Sequence, residues 1–191
     1  MVIIDDNLKL DTLVALNSVV KALELRFPDH NGPFEYCTRL AEETGELTEA
    51  IYESKDGIAS EEQRNHLIKE QQDVLRVVLG IVGIYQLEEE FPTSLEQFDS
   101  TDDPKNVVEH IVRLGVASGE LASAVNHAAG MGVKKEKHGE GADRHVLERA
   151  KDVAQVVVWM VRYFNVETEL EQQIAGAYRD YRGKGFIQDN I

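Results

Sequence analysis

Apolar positions recur at helical spacing along nearly the whole chain, and strand-like alternation bounded by turn residues is scarce. The pattern predicts a first helix from about Leu8 to Arg26, stopped by Pro28 and the turn-rich DHNGP. A second runs from near Phe34 to about Glu53 and ends at Lys55, Asp56 and Gly57. A third opens at Ser60, whose side chain suits a helix cap with Glu61 and Glu62 at the positive end, and continues to about Tyr85. The stretch from Phe91 to Asp103, broken by Pro92 and rich in Ser, Thr and Asp, marks an internal boundary. Helices resume from about Pro104 to Ala129, Asp143 to Phe164 and Glu167 to Tyr181, with the Gly- and Lys-rich GMGVKKEKHGEGADR between the first two. The fold class is all-α: a helical bundle in one globular domain.

The two halves of the pattern resemble each other. RLAEETGELTEAIY, from Arg39 to Tyr52, lines up with RLGVASGELASAVN, from Arg113 to Asn126. QDVLRVVLGIV then lines up with KDVAQVVVWMV, setting Asp73 opposite Asp152, with a longer connection between the paired helices in the second half. An internal duplication is the economical reading, with residues 1–99 as a first repeat and 100–191 as a degenerate second one. The degeneracy is chemical. Opposite Glu43 and Glu70 stand Ala117 and Arg149, so the second half keeps Glu120 and Asp152 but loses one carboxylate from each pair.

Those pairs are the most informative residues of the chain. Glu43 and Glu46 in EETGEL, and Glu70 and Asp73 in KEQQDVL, are each spaced i, i+3 and so share a helix face. On the second helix Leu40, Thr44, Leu47 and Ile51 form the apolar stripe with Glu43 on its flank; on the third, Glu70 falls inside the apolar arc and Asp73 at its edge. A carboxylate on a core-facing arc is costly unless paired or metal-bound. Two such helices side by side would gather four carboxylates, a cluster that suits a hard divalent cation, Mg²⁺ in the first instance.

Charge narrows the partners. There are 35 acidic and 20 basic residues, a net charge of −15, which disfavours a nucleic-acid groove and requires metal ions or a local basic patch for any small anionic ligand. The single cysteine, Cys37, cannot form an internal disulfide, and MVIIDDNLKL has neither a basic n-region nor a long apolar stretch, so the chain reads as cytoplasmic. Its most apolar run, Val74 to Tyr85, is interrupted by Arg76 and falls short of the ~20 residues of a membrane span.

EExxE followed by ExxDVL resembles the signature of the all-α nucleoside triphosphate pyrophosphohydrolase superfamily, which includes MazG-like proteins, dimeric dUTPases and phosphoribosyl-ATP pyrophosphohydrolases. The match covers the first half well and the second only as a degraded copy. The resemblance implies hydrolysis of a nucleoside triphosphate, usually a (deoxy)nucleotide, to the monophosphate and pyrophosphate, as nucleotide-pool housecleaning. It also implies Mg²⁺, with Mn²⁺ able to substitute, held by Glu43, Glu46, Glu70 and Asp73. Glu42, directly before the first ligand, is the candidate general base, although at i−1 it projects about 100° away from Glu43.

Phosphate contacts are sought among Lys134, Lys135 and Arg144 of the cationic loop, which serves equally as a solvated connection, and among Arg179 and Arg182 of YRDYRGKGF. Phe34, Tyr36 and Trp159 are candidates to stack on a base or to pack the core. A ferritin-like di-iron site would need Glu-x-x-His motifs, and none occurs. The standing alternative is a non-catalytic nucleotide-binding or regulatory bundle. Homo-oligomerisation is left open by the broad apolar arcs of the third and fifth helices.

Overall fold

The computed structural model describes residues 1–5, 8–101, 104–130 and 142–188. Six helices dominate it: α1 (Thr12–Arg26), α2 (Pro33–Glu53), α3 (Glu61–Ile84), α4 (Val107–Ala128), α5 (Ala142–Tyr163) and α6 (Glu167–Gly183). Two short strands, β1 (Val2–Ile3) and β2 (Lys9–Leu10), pair antiparallel ahead of them.

That ribbon corrects the expected start of the first helix. Lys9 and Leu10 pair with Ile3 and Val2 instead of entering the helix, and Val2 and Ile4 are buried. Arg179 of α6 donates to the carbonyls of Ile3 and Ile4 at 3.2 and 3.4 Å, so the amino-terminal segment is held by a residue far along the chain. Such a long-range contact leaves no local pattern.

The remaining ends follow local chemistry. Pro33 opens α2, where its missing N–H costs nothing. The Ser60 side chain accepts from Gln63 N at 3.1 Å to cap α3, and Asn106 accepts from Glu109 N at 3.0 Å to cap α4 three residues later than Pro104 suggested. α3 and α5 stop in the same way. Gln86 and Asn165 adopt left-handed φ of 57° and 52°, and Leu87 N and Val166 N return to Val82 O and Val161 O at 3.1 and 3.0 Å.

α2 packs along α3 and α4 along α5; α3 then lies on α5 and α2 on α4, making a four-helix centre with α1 and α6 against α3. One hydrophobic core runs through all six helices, with Leu16, Leu47, Ile81, Leu121, Val157 and Ile174 among its members. Among the described residues, no helix is long and apolar enough to cross a membrane.

Candidate active site

α2 and α3 bring the predicted acids to one place. A carboxylate oxygen from each of Glu43, Glu46 and Glu70 lies within 4.8 Å of the other two. Glu70 is 1 % exposed and Asp73 7 %, whereas Glu43 is half-buried and Glu46 exposed, so the cluster has a buried floor and an open rim.

Two cations offset the repulsion. Lys69 Nζ lies 2.6 Å from Glu70 Oε1, 3.2 Å from Asp73 Oδ2 and 4.0 Å from Glu46 Oε2. Arg76 reaches Asp73 Oδ1 at 3.2 Å and Glu43 Oε1 at 3.5 Å. Asp73 therefore joins the other three acids through these shared cations. The hydrogen bond to Glu70 holds the Lys69 ammonium in its charged form well above the usual lysine range. Burial, followed by the charge of Asp73, pushes the Glu43 carboxyl up to about 7 against the opposing pull of Arg76. One atom of the cluster is left over: Glu70 Oε2 is buried and has no hydrogen-bond partner among the described residues. Lys69 satisfies the other oxygen of that carboxylate, but Oε2 lacks the donor or ligand that would offset its own desolvation.

Beside the cluster, and sharing Glu43 and Arg76 with it, opens a cavity of about 260 Å³ between α1, α2 and α3. Its inner wall is Tyr36, 4 % exposed, whose hydroxyl donates to Glu24 Oε1 of α1 at 2.9 Å. Gly80 makes this possible, because a Cβ there would run into the Tyr36 ring. The Arg39 guanidinium carbon lies 5.1 Å from the centroid of the same ring. Asn31 lines the mouth, its amide donating to the carbonyls of Phe27 and Glu24 at 2.8 and 3.2 Å.

The other expected site residues are spread more widely. Glu42 is exposed and lines the cavity wall, outside the group of three carboxylates. Arg144 is exposed in the first turn of α5. Arg179 is engaged by the carbonyls of β1 and its following residue, and Arg182 by Asp5 at 2.6 Å. Lys134 and Lys135 lie outside the described residues. Trp159 is packed in the core with its indole donating to Asp99 O at 3.0 Å, while Phe34 is exposed.

Sequence reasoning passed over Lys69 and Arg76 as partners of the acids, although their i, i+4 and i, i+3 spacing to Asp73 was available to it. Glu24 of α1 and Asn31 of the connection to α2 reach the cavity through the packing of α1 and that connection on α2 and α3, which no local motif encodes.

In the second half, Arg149 Nη1 stands 2.5 Å from Glu120 Oε2 and 3.0 Å from Asp152 Oδ2. No family model, curated protein or solved structure matches the chain.

Proposed function

We propose that this protein is a Mg²⁺-dependent nucleoside triphosphate pyrophosphohydrolase, cleaving a (deoxy)nucleoside triphosphate to the monophosphate and pyrophosphate. The observation that carries the reading is the buried Glu70 Oε2, unpartnered among the described residues, on the floor of a carboxylate cluster that adjoins a nucleoside-sized cavity through Glu43. The donor set fits the ion: all four side chains offer oxygen, and the open rim leaves room for waters and phosphate oxygens. Glu43, Glu46, Glu70 and Asp73 would hold it. When bound, Mg²⁺ would neutralise phosphate charge and acidify the attacking water.

The protein's own groups would do the rest. Lys69, more than half exposed, is long enough to leave the acids for a phosphate oxygen, and Arg76 would keep Glu43 and Asp73 oriented. The cavity would hold the nucleoside while the phosphates lie over the acids, which fixes the in-line geometry that phosphoryl transfer depends on. Glu42, exposed on the cavity wall next to Glu43, would take the proton of the attacking water.

The internal duplication belongs to the same reading. Supporting it, the αL turns after α3 and α5 fall at aligned positions, Gln86 with Asn165. So do the caps Gly32 and Asn106, which precede α2 and α4. On this view the second half is a copy whose metal site was lost and whose helices now complete the bundle.

The test is pyrophosphate release with Mg²⁺ across a panel of nucleoside triphosphates, with Glu43→Gln, Asp73→Asn and Glu42→Gln in parallel. Monophosphate and pyrophosphate formation, abolished by the first two, is the expected result. Turnover on none of the panel, with Mg²⁺-dependent stabilisation retained, would instead favour a nucleotide-binding regulator.

A further inference from the structure

Resting on the reading above, the cavity between α1, α2 and α3 receives the base, and its walls hold information about which base. The apolar faces come from Val20, Leu23, Phe27 and Val77, enough for any aromatic heterocycle. The polar groups are more particular. Glu24 is a carboxylate and offers acceptors alone. Asn31 has both amide hydrogens directed to main-chain carbonyls, so its Oδ1 presents an acceptor. Tyr36 gives its proton to Glu24 and keeps only lone pairs for a ligand.

These groups are also fixed. Tyr36 is buried against Gly80, so its hydroxyl cannot swing away from Glu24 without moving a helix, and Glu24 is thereby pinned as an acceptor. Among the donors on the cavity wall, Arg76 is engaged by Glu43 and Asp73, and the Arg39 guanidinium is held over the face of the Tyr36 ring. The part of the wall formed by Glu24, Tyr36 and Asn31 therefore presents acceptors.

We infer that this cavity selects a base bearing an exocyclic amine, as cytosine, adenine and guanine do, over uracil and thymine, and that Glu24 is the specificity-determining residue. An exocyclic amine brings two hydrogens to Glu24 and Asn31 Oδ1. Uracil and thymine bring one N–H flanked by two carbonyl oxygens, which would face the acceptors lone pair to lone pair. Loss of a matched polar contact inside a closed site discriminates far more strongly than a change of apolar volume.

The experiment measures two things on the intact protein with Mg²⁺: kcat/KM for dCTP, dATP, dGTP, dUTP and dTTP, and calorimetric affinity for their non-hydrolysable α,β-imido analogues. The wild type is expected to favour the amino-bearing bases by about tenfold or more in both. Glu24→Gln is isosteric but replaces one acceptor oxygen by a donor amide, so it should erase that ratio while Mg²⁺-dependent stabilisation is kept. Hydrolysis without base preference, or with preference for dUTP or dTTP, overturns the inference and leaves the pyrophosphohydrolase reading standing. Selective binding of the amino-bearing analogues without hydrolysis does the reverse. Neither binding nor turnover on any member overturns both.

Discussion

Arg149 sits in the second half where the alignment of the halves places Glu70, and its guanidinium lies 2.5 Å from Glu120 Oε2, the counterpart of Glu46. The same group reaches Asp152 Oδ2, the counterpart of Asp73, at 3.0 Å. The hydrogen bond to Glu120 raises the Arg149 pKa further, so the charge there is permanent. In the first half a carboxylate with an orphaned oxygen occupies the aligned position; on the proposed reading that site takes a metal ion, and in the second half the Arg149 guanidinium supplies the positive charge instead. Restoring the acids should restore the demand for an ion. Arg149→Glu combined with Ala117→Glu is expected to lower stability in chelator and to gain a second Mg²⁺- or Mn²⁺-dependent rise in Tm. Calorimetric titration should then count one more ion than in the wild type. An unchanged stoichiometry would show that the second half does not share the geometry of the first.

Lys69 supplies positive charge to the acids of the first half. Its ammonium lies 2.6 Å from Glu70, which is almost wholly buried, and 3.2 Å from Asp73. Lys69→Met keeps the stem but removes the charge, leaving Arg76 and the His66 imidazole, 3.4 Å from Glu70 Oε1, as the partners of the acids. The metal-free protein should lose about 1.5–3 kcal/mol, the usual worth of a hydrogen bond to a charged partner. Added Mg²⁺ should recover more stability in Lys69→Met than in the wild type, because it no longer competes with the ammonium. Denaturation in EDTA and in Mg²⁺ measures both quantities, and an equal metal response in the two proteins would remove Lys69 from the site.

How much of this could be read from the chain depended on the range of the interactions. The helical period, the Ser60 cap and the core-facing position of Glu70 are local properties, and all appear where the pattern put them. The α1 start was misplaced because Lys9 and Leu10 are claimed by β1, and β1 by Arg179. The candidate cavity was illegible for the same reason: Glu24 of α1, Tyr36 of α2 and Gly80 of α3 meet only in the folded bundle. The exchange between the halves was visible in letters but not in meaning. Gly80 aligns with Trp159 and Tyr36 with His110, so the aromatic ring beneath Arg39 comes from α2, while the ring beneath Arg113 comes from α5.

His110 gives a pH dependence whose sign can be fixed. It is fully buried, neither ring nitrogen has a hydrogen-bond partner among the described residues, and Tyr163 packs edge-on at 4.8 Å. Burial, against the raising effect of Glu109 and with the help of Arg113, pushes its pKa down to about 4 from 6.5. Above pH 6.5 the imidazole is neutral folded or unfolded, and the stabilisation is complete. As the pH falls from there toward 4 the unfolded chain takes up a proton that the folded one refuses, and of the order of 3 kcal/mol is lost. His110→Leu should flatten the stability profile in that window relative to the wild type, as followed by urea denaturation at successive pH values. A parallel loss in both proteins would assign the acid sensitivity elsewhere.

Gly80 has a steric role that can be isolated from its helix propensity. On helix propensity alone, alanine should stabilise α3 at this position by about 0.5–1 kcal/mol. Packing opposes this, because a Cβ at Gly80 would enter the space of the buried Tyr36 ring. Gly80→Ala is therefore expected to be net destabilising by about 1–3 kcal/mol, the ordinary cost of overpacking. Gly83, one turn on, supplies the control, since its Cβ would meet nothing closer than a Glu88 side-chain oxygen at 4.0 Å. Gly83→Ala should be neutral or stabilising. Combining Gly80→Ala with Tyr36→Ala should cost less than the sum of the two, since removing the ring opens the space that the new methyl needs. Additive losses would mean that the ring does not rest on Gly80. The wall that pins Glu24 as an acceptor would then have to be sought in another contact.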